Sequence, residues 1–247
     1  MPSQLARQQA YQRLAFFMMK LFTVVVVGLL LFIVLFVVWK GAGTALSWEF
    51  WTDVPRDQLR EGGIFPAIVG TLLLTLISIL AAGIIGVPGG IYMAEYAPDG
   101  WAKRIIDIMT NNLAGIPSIV FGLFGMTLFV VGLGFGDSLL AGGLTLGIMV
   151  LPVILRTTEQ AIREVPQELR SASLALGGTQ FQTLARVVLP VAFPRVLTGI
   201  ILSIGRVAGE TAPILFTVAA LYRPELPKSL FDQTMALPYH LYVLAVS

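Results

Sequence analysis

The chain of 247 residues has no cysteine and a single histidine, His240. Disulfides, thiolate metal sites, thiol nucleophiles and histidine-based metal clusters are thereby excluded, although lack of cysteine identifies no compartment. Charge is scarce too. Asp, Glu, Lys and Arg make up 12% of the residues, against about a quarter in soluble domains. The net charge is +2 and the cations are scattered, which excludes nucleic acid as a partner. Of the four lysines (Lys20, Lys40, Lys103 and Lys228) none lies in a glycine-rich loop, and no GxxxxGK[ST] occurs. The chain does not itself cradle ATP.

What the chain has in abundance is apolar sequence, 56% of the total, which marks an all-α, multi-span integral membrane protein. Residues 1–20 read as a polar tail carrying Arg7 and Arg13, and 21–247 as one membrane domain. Leu21–Trp39 is 19 residues without a charge, enough to cross a hydrocarbon core of about 30 Å. The length of this run and the lack of a small-residue cleavage site exclude a cleavable signal. Further spans are expected over about 66–94, 105–131, 139–155 and 198–221, five in all. The basic residues Arg7, Arg13 and Lys20 place the N-terminus in the cytoplasm, and the five arginines against three glutamates in 156–195 place that loop there too. Residues 41–65, 132–138 and 222–247 are then external. The third span is interrupted by Asn111-Asn112 and Gly115-Ile116-Pro117. Such sequence at membrane depth either lines a water-filled path or forms a kink at Pro117.

The longest polar run between apolar segments is EVPQELRSASLALGGTQFQTLARVVLP, Glu164 to Pro190. Val165, Leu169, Ala172 and Leu176 share one helical face. Glu168 stands where the positive end of the helix dipole favours a carboxylate. Gly177-Gly178 stops the helix. Thr179 caps a second one, whose apolar face carries Phe181, Leu184, Ala185 and Val188, and Pro190 is expected to break it. A helix–glycine–helix knob with apolar stripes needs a partner surface, or else lies on a membrane interface.

The expected fifth span, TGIILSIGRVAGETAPILFTVAAL, carries Arg206 and Glu210 one turn apart on one face. A mid-helix charge costs about 2.5–3.5 kcal/mol to insert, so such residues usually face inward and are functional. With a helix start at 198, Arg206 lies about 12 Å and Glu210 about 18 Å from its cytoplasmic end. The pair either lines a path, with Arg206 as an oxyanion donor, or serves only to neutralise itself and join helices.

The loop resembles the cytoplasmic EAA loop of ABC-importer permeases. Ser171-Ala172-Ser173 takes the EAA place, Gly177 falls at the required offset and Val187-Val188-Leu189-Pro190 closes the pattern. Ser171 stands where that motif has Glu; Glu168 or Glu164 could supply the missing carboxylate. RVAGETAPILFT, NNLAGIPSIVFGLFG and LPVILRTTEQAIREVPQELRSASLALG are similar to the permease subunits of phosphate-specific ABC importers, the PstA family, over about Glu61 to Leu237. The resemblance implies a type I importer permease bundle with a cytoplasmic coupling helix, in a bacterial plasma membrane. It also implies six spans, so a final helix is expected to follow Ser247.

Its implied partners are a sister permease (PstC-like), two ATP-binding subunits (PstB-like) that hold ATP and Mg, and a periplasmic phosphate-binding protein (PstS-like), with membrane lipid around them. The substrate path implied is Arg206, Glu210 and Arg156, with Asn111 and Asn112 from the broken third span. The coupling residues are Glu168, Leu169, Ser171, Ala172, Ser173, Leu176 and Gly177. Arg156 has a second reading, as an interfacial snorkelling anchor. Other oxyanions, molybdate or sulfate, fit the same machine. A membrane-embedded enzyme would need convergent acid, base or nucleophilic groups, which the Arg206–Glu210 pair does not provide. A passive channel would have no use for a docking knob at 164–190.

Overall fold

The structure, a computed structural model, describes residues 2–56, 61–220 and 223–246. It divides into two units, Met1–Asp53 and Val54–Ser247.

The first unit is one long helix, α1 (Pro2–Ala45), and the short α2 (Trp48–Thr52). The expected polar tail is therefore not a separate segment but the first turns of α1. The indole of Trp51 donates back to the Ala45 carbonyl at 2.7 Å, which folds the end of the unit on itself. The apolar side chains of Leu21–Trp39 are exposed on every side of α1, as expected of a helix surrounded by lipid or another chain.

The second unit opens on a two-residue hairpin, β1 (Pro55–Arg56) against β2 (Glu61–Gly62). Its bundle consists of α3 (Phe65–Glu95), α4 (Trp101–Ala114), α5 (Ser118–Gly125), α6 (Leu139–Arg163), α7 (Gln167–Ala175), α8 (Gln180–Thr183), α9 (Leu189–Ala208), α10 (Ala212–Leu215) and α11 (Leu237–Val246). Two π-helical stretches extend these, Met126–Gly132 after α5 and Leu184–Val188 between α8 and α9. Among the described residues, four helices are long and apolar enough to cross a membrane, Tyr11–Ala45, Phe65–Glu95, Leu139–Arg163 and Gln180–Ala208, and the bent pair α4–α5 makes a fifth crossing if taken as one.

The most enclosed of these helices, α6, is the axis of the bundle. It packs parallel to α3 because small residues let the backbones approach. A Cβ on Gly90 would lie 2.6 Å from the Leu155 carbonyl oxygen and 2.7 Å from Thr158. Further along the same pair, Gly147 meets Ser78 and Ala81. Three hydroxyls buried on these helices bond the carbonyl one turn back, Thr71 to Ala67, Ser78 to Leu74 and Thr145 to Ala141, which satisfies them within their own helix. At the start of α6, Ser138 caps Ala141. The Leu139 and Leu140 amides donate to Asp232 and Leu230 carbonyls. The segment 223–236 therefore folds over the α6 end, and α11 is pinned there by Leu237 N–H to Thr71 Oγ1 at 2.8 Å.

Three expected spans differ from the observed helices. The third, 105–131, is two helices bent by 103°, because Gly115 ends α4 and Pro117, with no N–H to give, starts α5. The fourth runs on to Arg163, so Arg156 is inside α6 rather than at its end. The fifth is not a helix over 198–221. It starts at Gln180 and stops at Ala208. Pro190 does not break it, since the π-helical turn Leu184–Val188 precedes the proline and absorbs its missing bond.

Candidate functional site

The helix α9 runs antiparallel to α6. Val188, Ala192 and Val196 pack with Ala161, Ile162 and Val165, Gly199 lies against Thr157, and Val207 joins Val150, Met149 and Leu146. Seven residues past Gly199, about 10 Å at 1.5 Å per residue, Arg206 is level with the middle of α6. There α9 ends. The Gly209 and Glu210 amides fold back to the Arg206 and Val207 carbonyls, both at 3.2 Å, and Pro213 starts the short α10. Arg206 is thus in the last turn of a helix that stops at mid-depth, not in mid-helix as a start at 198 implies. Measured from Gln180 it lies about 39 Å along the helix.

Arg206 Nε sits 3.7 Å from Glu210 Oε1, with the arginine side chain 39% and the glutamate 17% exposed. This is a loose ion pair that leaves much of the guanidinium fork open. A Cβ on neighbouring Gly205 would meet nothing within 4 Å. The carbonyl end of α9 carries partial negative charge that favours Arg206 and opposes an anion. Such a place can hold an oxyanion, but weakly.

Arg156 belongs to a different cluster, at the α7 end of α6. Its guanidinium is 2.6 Å from Asp107 and 2.8 Å from Glu159, and donates to the Asp107 carbonyl at 2.9 Å. Glu159 is also held by Arg163 at 3.0 Å, and Arg163 donates to the Met93 carbonyl of α3. Two cations and two carboxylates balance here and tie α4, α6 and α3 together. Asn111 lines the open cleft of about 710 Å³ above this cluster, with Asp99, Lys103 and Arg156. On its rim the Lys103 ammonium, 2.7 Å from Asp99, holds that carboxyl below the usual carboxylate range. The structure brings Asn111 and Arg156 together. Arg206 and Glu210 are not in that cleft, and exposed Asn112 uses its carbonyl to cap Gly115.

The loop after α6 has the expected local form. Glu168 is in the first turn of α7, Gly177 takes φ +84°, and Thr179 with Gln182 forms a reciprocal cap on α8. Leu169, Ser171, Ala172 and Leu176 are exposed, Leu176 almost fully, while Ser173 turns inward to Thr183 at 2.9 Å. Val165, placed on the same stripe by spacing, is instead buried against α9. Sequence reading missed Asp107, Glu159 and the pair Glu95–Arg170. For Glu159 a signal existed: Arg156, Glu159 and Arg163 follow at i, i+3 and i+7, the spacing of helical ion pairs.

A bundle of lipid-length helices with a loop knob, an arginine level with the middle of its central helix and a broken helix beside it is the architecture of a membrane transport subunit. A family model for the binding-protein-dependent transport system inner membrane component matches residues 86–246, and the chain belongs to that family. It is 38% identical over 210 residues to the phosphate transport system permease protein PstA of Mycobacterium leprae, covering 83% of this chain and 68% of that one. It is 37% identical over 189 residues to a probable phosphate transport system permease protein PstA of Methanocaldococcus jannaschii, covering 76% and 66%. The chain spans about two thirds of the length of these relatives. Among solved structures it is similar to a chain of the inward-facing MetNI methionine ABC transporter, with TM-score 0.52, 26% identity, and 57% and 68% of the two chains covered. The expected membrane permease bundle is borne out.

Proposed function

We propose that this chain is the permease subunit of an ATP-driven importer of inorganic phosphate. It forms half of the path and couples, through the loop 164–190, to ATPase chains that carry ATP and Mg. Its partners are then a sister permease, two ATP-binding subunits and a periplasmic phosphate-binding protein, and the chain itself performs no catalysis. The basic residues Arg7, Arg13 and Lys20 support a cytoplasmic start of α1, and the arginine excess within 156–195 separately supports a cytoplasmic α7 loop.

The observation that carries the reading is Arg206, held open at mid-depth in a chain 38% identical to a phosphate transport permease. Phosphate is a hydrated oxyanion, and a guanidinium replaces its water with a planar fork of donors. Conduction needs a site that also releases; Glu210 and the carbonyl end of α9 supply the opposing field. Arg156, already matched by Asp107 and Glu159, serves first as a lock between helices, with Asn111 on the exit cleft. Leu169, Ala172 and Leu176 form the docking face for the ATPase chain, with Glu168 and Ser171 at its edge, while Ser173 and Gly177 set its shape.

Isolation of the assembly tests this. An ATP-hydrolysing chain and a second permease should co-purify, and phosphate-loaded binding protein should stimulate hydrolysis where sulfate-loaded protein does not. Purification of the chain alone, with no nucleotide-hydrolysing partner, would refute the reading.

A further inference from the structure

The helix α7 has no buried residue. Its apolar side chains Leu169 and Leu174, and Leu176 just after it, are exposed, and beneath it lies a cavity of about 420 Å³ lined by Glu95, Gln167, Arg170, Thr183, Leu184 and others. Apolar packing therefore does not fix the angle of α7 on the bundle. Polar links do. Ser173 bonds Thr183, which only joins α7 to the next helix of the same loop. Arg170, in the middle of α7, reaches out of the loop. It donates to the Glu95 carboxylate and, through Nη2 at 2.7 Å, to the Ile162 carbonyl near the end of α6. Both members of the pair are largely enclosed, Arg170 at 14% and Glu95 at 19% exposed.

Glu95 is the last residue of α3, the 31-residue helix that packs along α6. Arg163 makes a second tie two residues earlier, to the Met93 carbonyl. One guanidinium thus spans α7, α3 and α6 over a cavity that would otherwise let α7 tilt freely. We propose that Arg170 and Glu95 form the strut that converts displacement of the α7 docking helix into movement of α3 and α6. They are positioning residues for coupling and not part of the docking face. This rests on the reading that α7 docks on an ATPase chain.

The distinction is one between links. Leu169, Ala172 and Leu176 point away from the bundle and decide whether the partner binds. Arg170 points into it and decides whether the partner's motion is felt. A strut of this kind transmits force only while both charges are present, because an amide in place of either leaves the other enclosed and unmatched.

The test uses the full complex in proteoliposomes, with Arg170→Gln, Glu95→Gln and the reversed pair Glu95→Arg with Arg170→Glu. Two quantities are read: ATPase chains retained per permease, and phosphate moved per ATP hydrolysed. Each single variant should keep the ATPase chain while the transport ratio falls about tenfold, and the reversed pair should recover about threefold of that, because it restores the α7–α3 link but not the bond to the Ile162 carbonyl, which a carboxylate cannot make. Should one single variant fail to insert, the other carries the same expectation. An unchanged ratio in an assembled single variant overturns the proposal. Loss of the ATPase chain from both single variants also overturns it, since the pair would then belong to docking. Uncoupled single variants without recovery on reversal would deny that the two side chains act as a pair. A wild-type assembly holding no ATPase chain sinks the docking reading itself, a result distinct from the other three.

Discussion

Replacing Arg206 by Gln removes a cation that is left partly open level with the middle of α6. The 3.7 Å separation from Glu210 and the 39% exposure of the arginine mean that little is lost within the chain itself. What is lost is the fork offered to an anion. A charge-assisted hydrogen bond contributes about 1.5–3 kcal/mol, and partial exposure places this pair of bonds at about 2–3 kcal/mol in total. At about 1.4 kcal/mol per decade, phosphate uptake should fall about 30- to 150-fold. Lys in place of Arg should recover about tenfold of that, because the charge returns without the bidentate geometry. Uptake of labelled phosphate by proteoliposomes holding the complete assembly measures this, with subunit stoichiometry read in parallel. The single variant also leaves Glu210, 17% exposed, without its partner. A pair with a structural role alone would then also lower uptake, by a smaller amount, through that unmatched carboxylate. Removing both charges, Arg206→Gln with Glu210→Gln, separates the two, since neither group is then left unmatched. Recovery of the double variant to near wild-type uptake would refute the path role.

Ala172→Asp should weaken co-purification of the ATPase chain, since it puts a charge in the middle of the exposed α7 face. Gly177→Leu should leave insertion intact but reduce coupled transport, because a φ of +84° costs a branched side chain about 1–2 kcal/mol and reorients α7 relative to α8. Gly90→Leu should lower the midpoint of thermal unfolding in detergent, as its side chain meets the Leu155 carbonyl and Thr158 and overpacking costs about 1–3 kcal/mol. A midpoint equal to wild type would contradict the close α3–α6 contact.

The α7 loop was the most legible part of the sequence because its signals are local. Glycine at a positive-φ stop and Thr179 with Gln182 as a cap act within a few residues of one another, and the structure adopts both. Arg206 and Glu210 were legible for the same reason, being one turn apart. Helix limits were less so. Pro190 reads as a breaker, and only the π-helical turn before it, which has no sequence mark of its own, lets one helix run from Gln180 to Ala208. Val165 has the spacing of the docking stripe, yet burial against α9 removes it, a matter that periodicity along one helix does not decide. The links Arg156–Asp107, Arg163–Met93 and Arg170–Glu95 join residues 49 to 75 positions apart. Nothing in either member's neighbourhood points to the other.

The most direct measurement is phosphate accumulation by proteoliposomes holding the complete assembly, with ATP enclosed and binding protein outside. The account predicts uptake that requires ATP hydrolysis and is not displaced by excess sulfate or molybdate. Preferred accumulation of either competing anion, or phosphate movement that continues without ATP, would contradict it.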